Sequence, residues 1–149
     1  MWEVAYETIT YAQNLPPRGR RTGNLHQGDS SIRYFTGFTG GESLLYVDAL
    51  RAVLITDSRY ILQAQQQAPE CEILEHQHGL FSVVDQVRPA WRLALDGDYF
   101  SYTEATALQK ALPKASFKNV NLVFLRAVKS PEEQRKMFKA AAIARRRFH

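Results

Sequence analysis

The sequence predicts an α/β domain, with helices packed on a mixed β-sheet, and three observations carry the prediction. Short, β-prone apolar runs recur along the chain, as in Leu44-Leu45-Tyr46-Val47 and Ala52-Val53-Leu54-Ile55-Thr56. Segments of helical spacing lie between and after such runs, two of them with explicit start signals. The 149 residues, 45% apolar and 23% charged, are enough for one domain with a true core and exclude disordered, collagenous and coiled-coil classes.

Residues 1–30 read as an atypical leader. Trp2, Val4, Tyr6 and Ile9 alternate briefly before Pro16-Pro17-Arg18-Gly19-Arg20-Arg21 and Gly23 break any element. No amphipathic helix can be drawn there, and the expectation is poor order or an improvised edge strand. Thr36-Gly37-Phe38-Thr39-Gly40-Gly41 is turn-rich. The runs at 44–47 and 52–56 then form a hairpin around Asp48-Ala49-Leu50-Arg51. Asp57 or Ser58 caps a helix through Ala64 that Pro69 stops. Cys71-Glu72-Ile73-Leu74 is the next strand. Leu80, Phe81, Val83, Val84 and Val87 have helical spacing up to Pro89, and Leu93-Ala94-Leu95 is a buried strand. Ser101-Tyr102-Thr103-Glu104 and Ser130-Pro131-Glu132-Glu133 both fit the capping box, and each opens a helix. No glycine or proline closes the second of these before His149.

The net charge of +4 does not mark a nucleic-acid surface. Residues 22–144 hold 13 basic and 13 acidic side chains, and the excess sits at Arg18, Arg20, Arg21 and Arg145-Arg146-Arg147. Phosphate tracking needs cations gathered on one folded face, whereas arginines at chain ends read as solvated tails. No apolar run is long enough to span a membrane, and no signal pattern opens the chain, so the expected location is cytoplasmic. A single cysteine, Cys71, excludes an internal disulfide.

Residue patterns that carry chemistry are incomplete. His76 and His78, with Cys71, Glu72 and Glu75 nearby, would share one side of a strand, but zinc spacing motifs are absent. Asp96 and Asp98 flank Gly97 as a turn does. The glycines of 37–41 lack the Lys-Ser/Thr ending of a phosphate loop. Asp57-Ser58-Arg59-Tyr60 is more informative, because Arg59 either ties its own loop or offers a bidentate fork to a carboxylate. Tyr34 and Phe35 beside the glycine turn are either core or part of a binding wall. On residues alone, a binding or assembly module outranks an enzyme.

Three segments in order resemble one family. Ser31-Ile32-Arg33-Tyr34-Phe35-Thr36-Gly37-Phe38-Thr39-Gly40 and Thr56-Asp57-Ser58-Arg59-Tyr60-Ile61-Leu62-Gln63-Ala64 are similar to the N-terminal domain of the creatinase/prolidase/Xaa-Pro aminopeptidase family. Leu125-Arg126-Ala127-Val128-Lys129-Ser130-Pro131-Glu132-Glu133 resembles the segment leading into that family's catalytic domain, and 140–144 resembles the start of the connecting helix.

The resemblance implies a ribonuclease-H-like fold over 31–129, followed by the beginning of a connecting helix at 130–149. It implies a non-catalytic role in an Xaa-Pro dipeptidase or aminopeptidase: forming a homo-oligomer and walling the active-site entrance against all but short proline-containing peptides. Tyr34, Phe35 and Arg59 are the residues that it places near that wall or interface. Two divalent metals (manganese, cobalt or zinc) would belong to the "pita-bread" catalytic domain, supplied in cis or in trans, and no metal ligand carries over to this chain. No activity is therefore expected of the chain alone. The alternative is a stand-alone module binding small amino or guanidino compounds or dipeptides. Residues 1–30 depart from the family's opening helix and apolar edge strand.

Overall fold

A computed structural model describes residues 22–48, 51–87, 92–120 and 127–147. Residues 1–21, and Leu125 and Arg126 of the third family-like segment, lie outside the described residues. The elements are β1 (Thr22–Gln27), α1 (Asp29–Thr36), β2 (Leu44–Asp48), β3 (Ala52–Asp57), α2 (Ile61–Gln67), β4 (Glu72–His76), a 3₁₀ turn (Leu80–Val83), β5 (Arg92–Asp96), α3 (Tyr102–Ala111), β6 (Ser116–Val120) and α4 (Pro131–Arg147).

Six strands form one sheet in the order β4-β3-β2-β1-β5-β6. β2 runs antiparallel to both β1 and β3, while the β3–β4, β1–β5 and β5–β6 pairs are parallel. β2 is thus the one reversed strand among those described. Both faces are covered, which is why β2 and β3 read as unbroken apolar runs. On one face Leu25, Leu44, Tyr46, Val53, Ile55, Leu93 and Leu95 meet Val83, Val84 and Val87 of the 3₁₀ segment and Leu108 of α3. On the other, Leu45, Val47, Ala52 and Leu54 meet Ile32, Phe35 and Phe38 around α1, and Ala64 of α2. The Asp48–Arg51 turn closes the hairpin through its backbone bond and an Asp48 carboxylate accepting from the Arg51 N–H.

The structure corrects the reading of residues 22–30. β1 is a central strand, not an edge, and a helix begins at Asp29. Only Leu25 in Thr22–Gln27 is aliphatic, so the segment shows no period-two signal, yet Asn24 and His26 are buried with it between β2 and β5. α1 escapes notice because Gly28 supplies no capping side chain and its apolar face is Ile32 and Phe35 alone. Its end is orthodox: Gly37, at φ 78°, donates its N–H to the Arg33 carbonyl. β6 was not anticipated, and the helical reading of 80–87 shortens to one 3₁₀ turn that still buries Val83, Val84 and Val87. Both capping boxes form, Ser101 with Glu104 and Ser130 with Glu133. No helix among the described residues is long and apolar enough to cross a membrane.

Candidate functional site

With β2 reversed, the carboxyl ends of β1, β3, β4 and β5 share one edge of the sheet with the amino end of β2. That edge is where open α/β sheets bind ligands, because their loops diverge there. β1 leaves through Gly28, whose φ of 90° suits glycine. The chain returns to β2 through Glu42, a non-glycine residue at φ 42°, and Ser43. β3 leaves through Asp57-Ser58-Arg59. The Asp57 carboxylate accepts from the Arg59 backbone N–H at 2.9 Å and from its Nη2 at 2.6 Å. It therefore closes a turn of its own rather than capping α2, which starts at Ile61. β4 leaves at His76, whose Nδ1 accepts the Gly79 N–H at 3.2 Å.

Two adjoining cavities open here. One, of about 590 Å³, is lined by Glu42, Asp57, Ser58, Arg59, Glu75 and His76 among others. The second, of about 400 Å³, is lined by Gln27, Gly28, Asp29, Glu42, Ser43, His76, Leu80, Phe81 and Glu104 among others. Glu42, His76 and Gly79 belong to both.

The side-chain hydrogen bond from Arg59 is the chief cause that holds the Asp57 carboxyl below its ordinary value, and Asp57 in turn raises Arg59. Because the folded value lies below the unfolded one, the pair's stabilisation is fully present above the ordinary carboxylate range. It is lost only as pH falls through the lowered folded value. The Arg59 side chain stays exposed to solvent, so the pair contributes little to stability. An NMR titration of the Asp57 carboxyl carbon should show a depressed midpoint that rises toward the ordinary aspartate value in Arg59→Ala, which removes the guanidinium and keeps the backbone N–H bond. An unchanged midpoint would refute the pairing.

At Glu104, burial pushes the carboxyl up, but the Ser101 N–H, the Ser101 side chain and the Gln27 amide outweigh it and leave it below its ordinary value. Burial, aided by Glu70, pushes the Cys71 thiol up to about 11, which makes it a poor nucleophile.

Of the residues singled out from sequence, Arg59 lines the larger cavity; Tyr34 and Phe35 line neither. Phe35 is 2% exposed in the core, its ring 4.5 Å from that of His26. Tyr34 is half-buried on α1, edge-on to Phe35 at 5.3 Å. Arg59 stacks over Tyr60 at 5.4 Å and approaches Glu42 at 3.4 Å. His76 and His78 do not share a strand face, because β4 ends at His76, which is buried while His78 is exposed. Among the described residues, no group of three or more His, Cys, Asp or Glu side chains is placed to hold a metal ion. Sequence reasoning missed Asp29, Glu42, Ser43 and Glu104, which come from separate loops and share no local motif.

Residues 23–127 match the Creatinase/Prolidase N-terminal domain family. The chain is 32% identical over 131 residues to an uncharacterized peptidase, YqhT, of Bacillus subtilis, covering 82% of this chain and 36% of that protein. Among solved structures it resembles an Xaa-Pro dipeptidase from Bacillus anthracis, with TM-score 0.70 and 29% identity over 89% of this chain and 37% of that one. An X-Pro aminopeptidase from Thermotoga maritima superposes with TM-score 0.75 and 26% identity, over 93% of this chain and 41% of that one. The chain thus spans little more than a third of that curated peptidase. The six-stranded mixed sheet with helices on both faces, the matched span and these likenesses agree: the chain belongs to the creatinase/prolidase family and carries its N-terminal domain.

Proposed function

We propose that this chain serves an Xaa-Pro dipeptidase or aminopeptidase as its non-catalytic N-terminal domain, acting in the cytoplasm. Its roles are to make oligomer contacts and to wall the active-site entrance for proline-containing peptides. One observation carries the reading. Met137, Phe138 and Ile143 of α4 are 54–74% exposed on the helix that leads out of the domain, preceded by Val128 at 82%. Spaced by roughly 100° or more around α4, these side chains leave apolar surface open on several sides of the helix, as where other parts of a larger protein cover it. The capping box at Ser130 starts α4 without help from the sheet, as a connecting helix requires.

The two-metal chemistry of such peptidases needs a cage of carboxylate and histidine ligands around a bridging water. The described residues do not fit that cage: Asp57 is committed to Arg59, and His76 Nδ1 to Gly79. Those metals are assigned to the catalytic domain of the parent protein. Of the residues placed at the wall or interface, Tyr34 and Arg59 retain exposed surface for a neighbour, while Phe35 supports α1 from beneath.

The purified chain supplied with manganese should release no proline from glycyl-proline, and light scattering should return a mass above that of the monomer. Chelator-sensitive hydrolysis by the chain alone would overturn its non-catalytic role. A strictly monomeric mass would overturn the oligomer contacts.

A further inference from the structure

The smaller cavity has a one-sided chemistry that the entrance-wall role does not require. Three of its lining residues, Asp29, Glu42 and Glu104, carry carboxylates, and no Lys or Arg lines it among the described residues; Glu42 meets Arg59 at 3.4 Å from the adjoining cavity, and Glu104 accepts from Gln27 and the Ser101 N–H. Two polar groups of its wall are buried without a hydrogen-bond partner: His76 Nε2, on a residue 7% exposed, and Ser43 Oγ, on a residue 4% exposed. Because Nδ1 of His76 accepts from Gly79, the proton of the neutral ring sits on Nε2, which is therefore a donor in need of an acceptor. Leaving such a group unpaired forfeits the hydrogen bond it makes to water in the unfolded chain, so a ligand that supplies an acceptor gains from it. Leu80 and Phe81 add an apolar wall.

Anionic groups, a buried N–H donor and an apolar patch within about 400 Å³ define a compact ligand. It carries a positive charge, a nearby carbonyl oxygen and a small hydrophobic group. We infer that this cavity binds the protonated amino end of a peptide, with its ammonium among Asp29, Glu42 and Glu104 and its first carbonyl on His76 Nε2. A lysine side chain offers the ammonium without the adjoining carbonyl, and a free metal ion offers neither carbonyl nor apolar group. The inference rests on the reading that this domain meets peptides, but it assigns that contact to the chain's own residues.

Calorimetry on the full 149-residue chain tests it with Ala-Pro-Ala amide, the N-acetyl form of the same peptide, and N-acetyl-lysine amide. The free-amine peptide should bind saturably and more weakly as salt is raised. Acetylation should weaken binding by more than about tenfold, because it removes hydrogen bonds to charged groups. N-acetyl-lysine amide should bind no better than the acetylated peptide. Glu42→Gln, at an exposed position, should weaken binding by about two- to fivefold without loss of fold. His76→Asn retains an acceptor for the Gly79 N–H while deleting the Nε2 donor, and it too should weaken binding. Equal binding of the free and acetylated peptides, or no saturable heat from either, would overturn the inference. Either result would leave the non-catalytic role untouched, since that fails only on hydrolysis by the chain alone.

Discussion

Replacing Tyr46 with alanine is expected to lower the unfolding free energy by about 3–5 kcal/mol, a large part of the roughly 5–15 kcal/mol that holds a domain folded. Tyr46 is fully buried in β2, paired with Leu25 of β1 and Val53 of β3, so its ring is covered from both sides within the sheet. The ring also lies across Gly23, where a β-carbon would stand 2.7 Å from Tyr46 Cε2. Truncation therefore leaves a cavity that the flanking strands cannot close. The Tyr46 hydroxyl donates to Asp48 Oδ2 at 2.8 Å, next to the hairpin turn. Tyr46→Phe keeps the ring and removes the hydroxyl with this bond, so it should cost about 1–3 kcal/mol. Urea unfolding followed by circular dichroism separates the two through their midpoints. An alanine variant as stable as the phenylalanine variant would refute this account of the core.

The second large effect is expected at Gly28. An alanine there must hold φ near 90°, which costs about 1–3 kcal/mol by itself. Its β-carbon would also sit 2.3 Å from the Tyr99 ring, which is tied to α1 by a 2.9 Å hydrogen bond between Tyr99 and Ser30 hydroxyls. Movement of that ring adds to the backbone strain, giving a loss of about 2–4 kcal/mol in all. Gly79→Ala is the natural control. Gly79 has φ 111°, but nothing lies within 4 Å of its would-be β-carbon, so it reports the backbone strain without the collision. Equal losses at the two glycines in the same urea experiment would show that the Tyr99 contact is immaterial.

The parts of the fold legible beforehand are those where a segment's own composition decides its structure. Leu44–Asp48 and Ala52–Asp57 are apolar enough to be strands in any setting, and Ser101 and Ser130 announce their helices through side chains that bond their own backbone. β1 was illegible for the opposite reason. Asn24 and His26 are buried because β2 and β5 close on either side, and that is decided by residues far along the chain. The candidate site shows the same division. Arg59 stands out because its partner Asp57 is two residues away, whereas Asp29, Glu42, His76 and Glu104 meet only once the loops at one edge of the sheet are brought together.

The strand order has a consequence for how the domain divides. β4, β3, β2 and β1 are neighbours drawn from residues 22–76, and β5 and β6 from residues 92–120. Every described ladder but one joins strands from the same stretch; only β1–β5, four residue pairs from Thr22–Arg92 to Leu25–Leu95, crosses between them. The sheet is thus two sub-sheets zipped along a single short seam. The loop that must be closed to zip it is about seventy residues long, whereas the β2–β3 hairpin closes almost at once. That polar strand with one leucine, illegible in the sequence, carries the one described backbone ladder between the two parts, and the shared core beneath it holds them together.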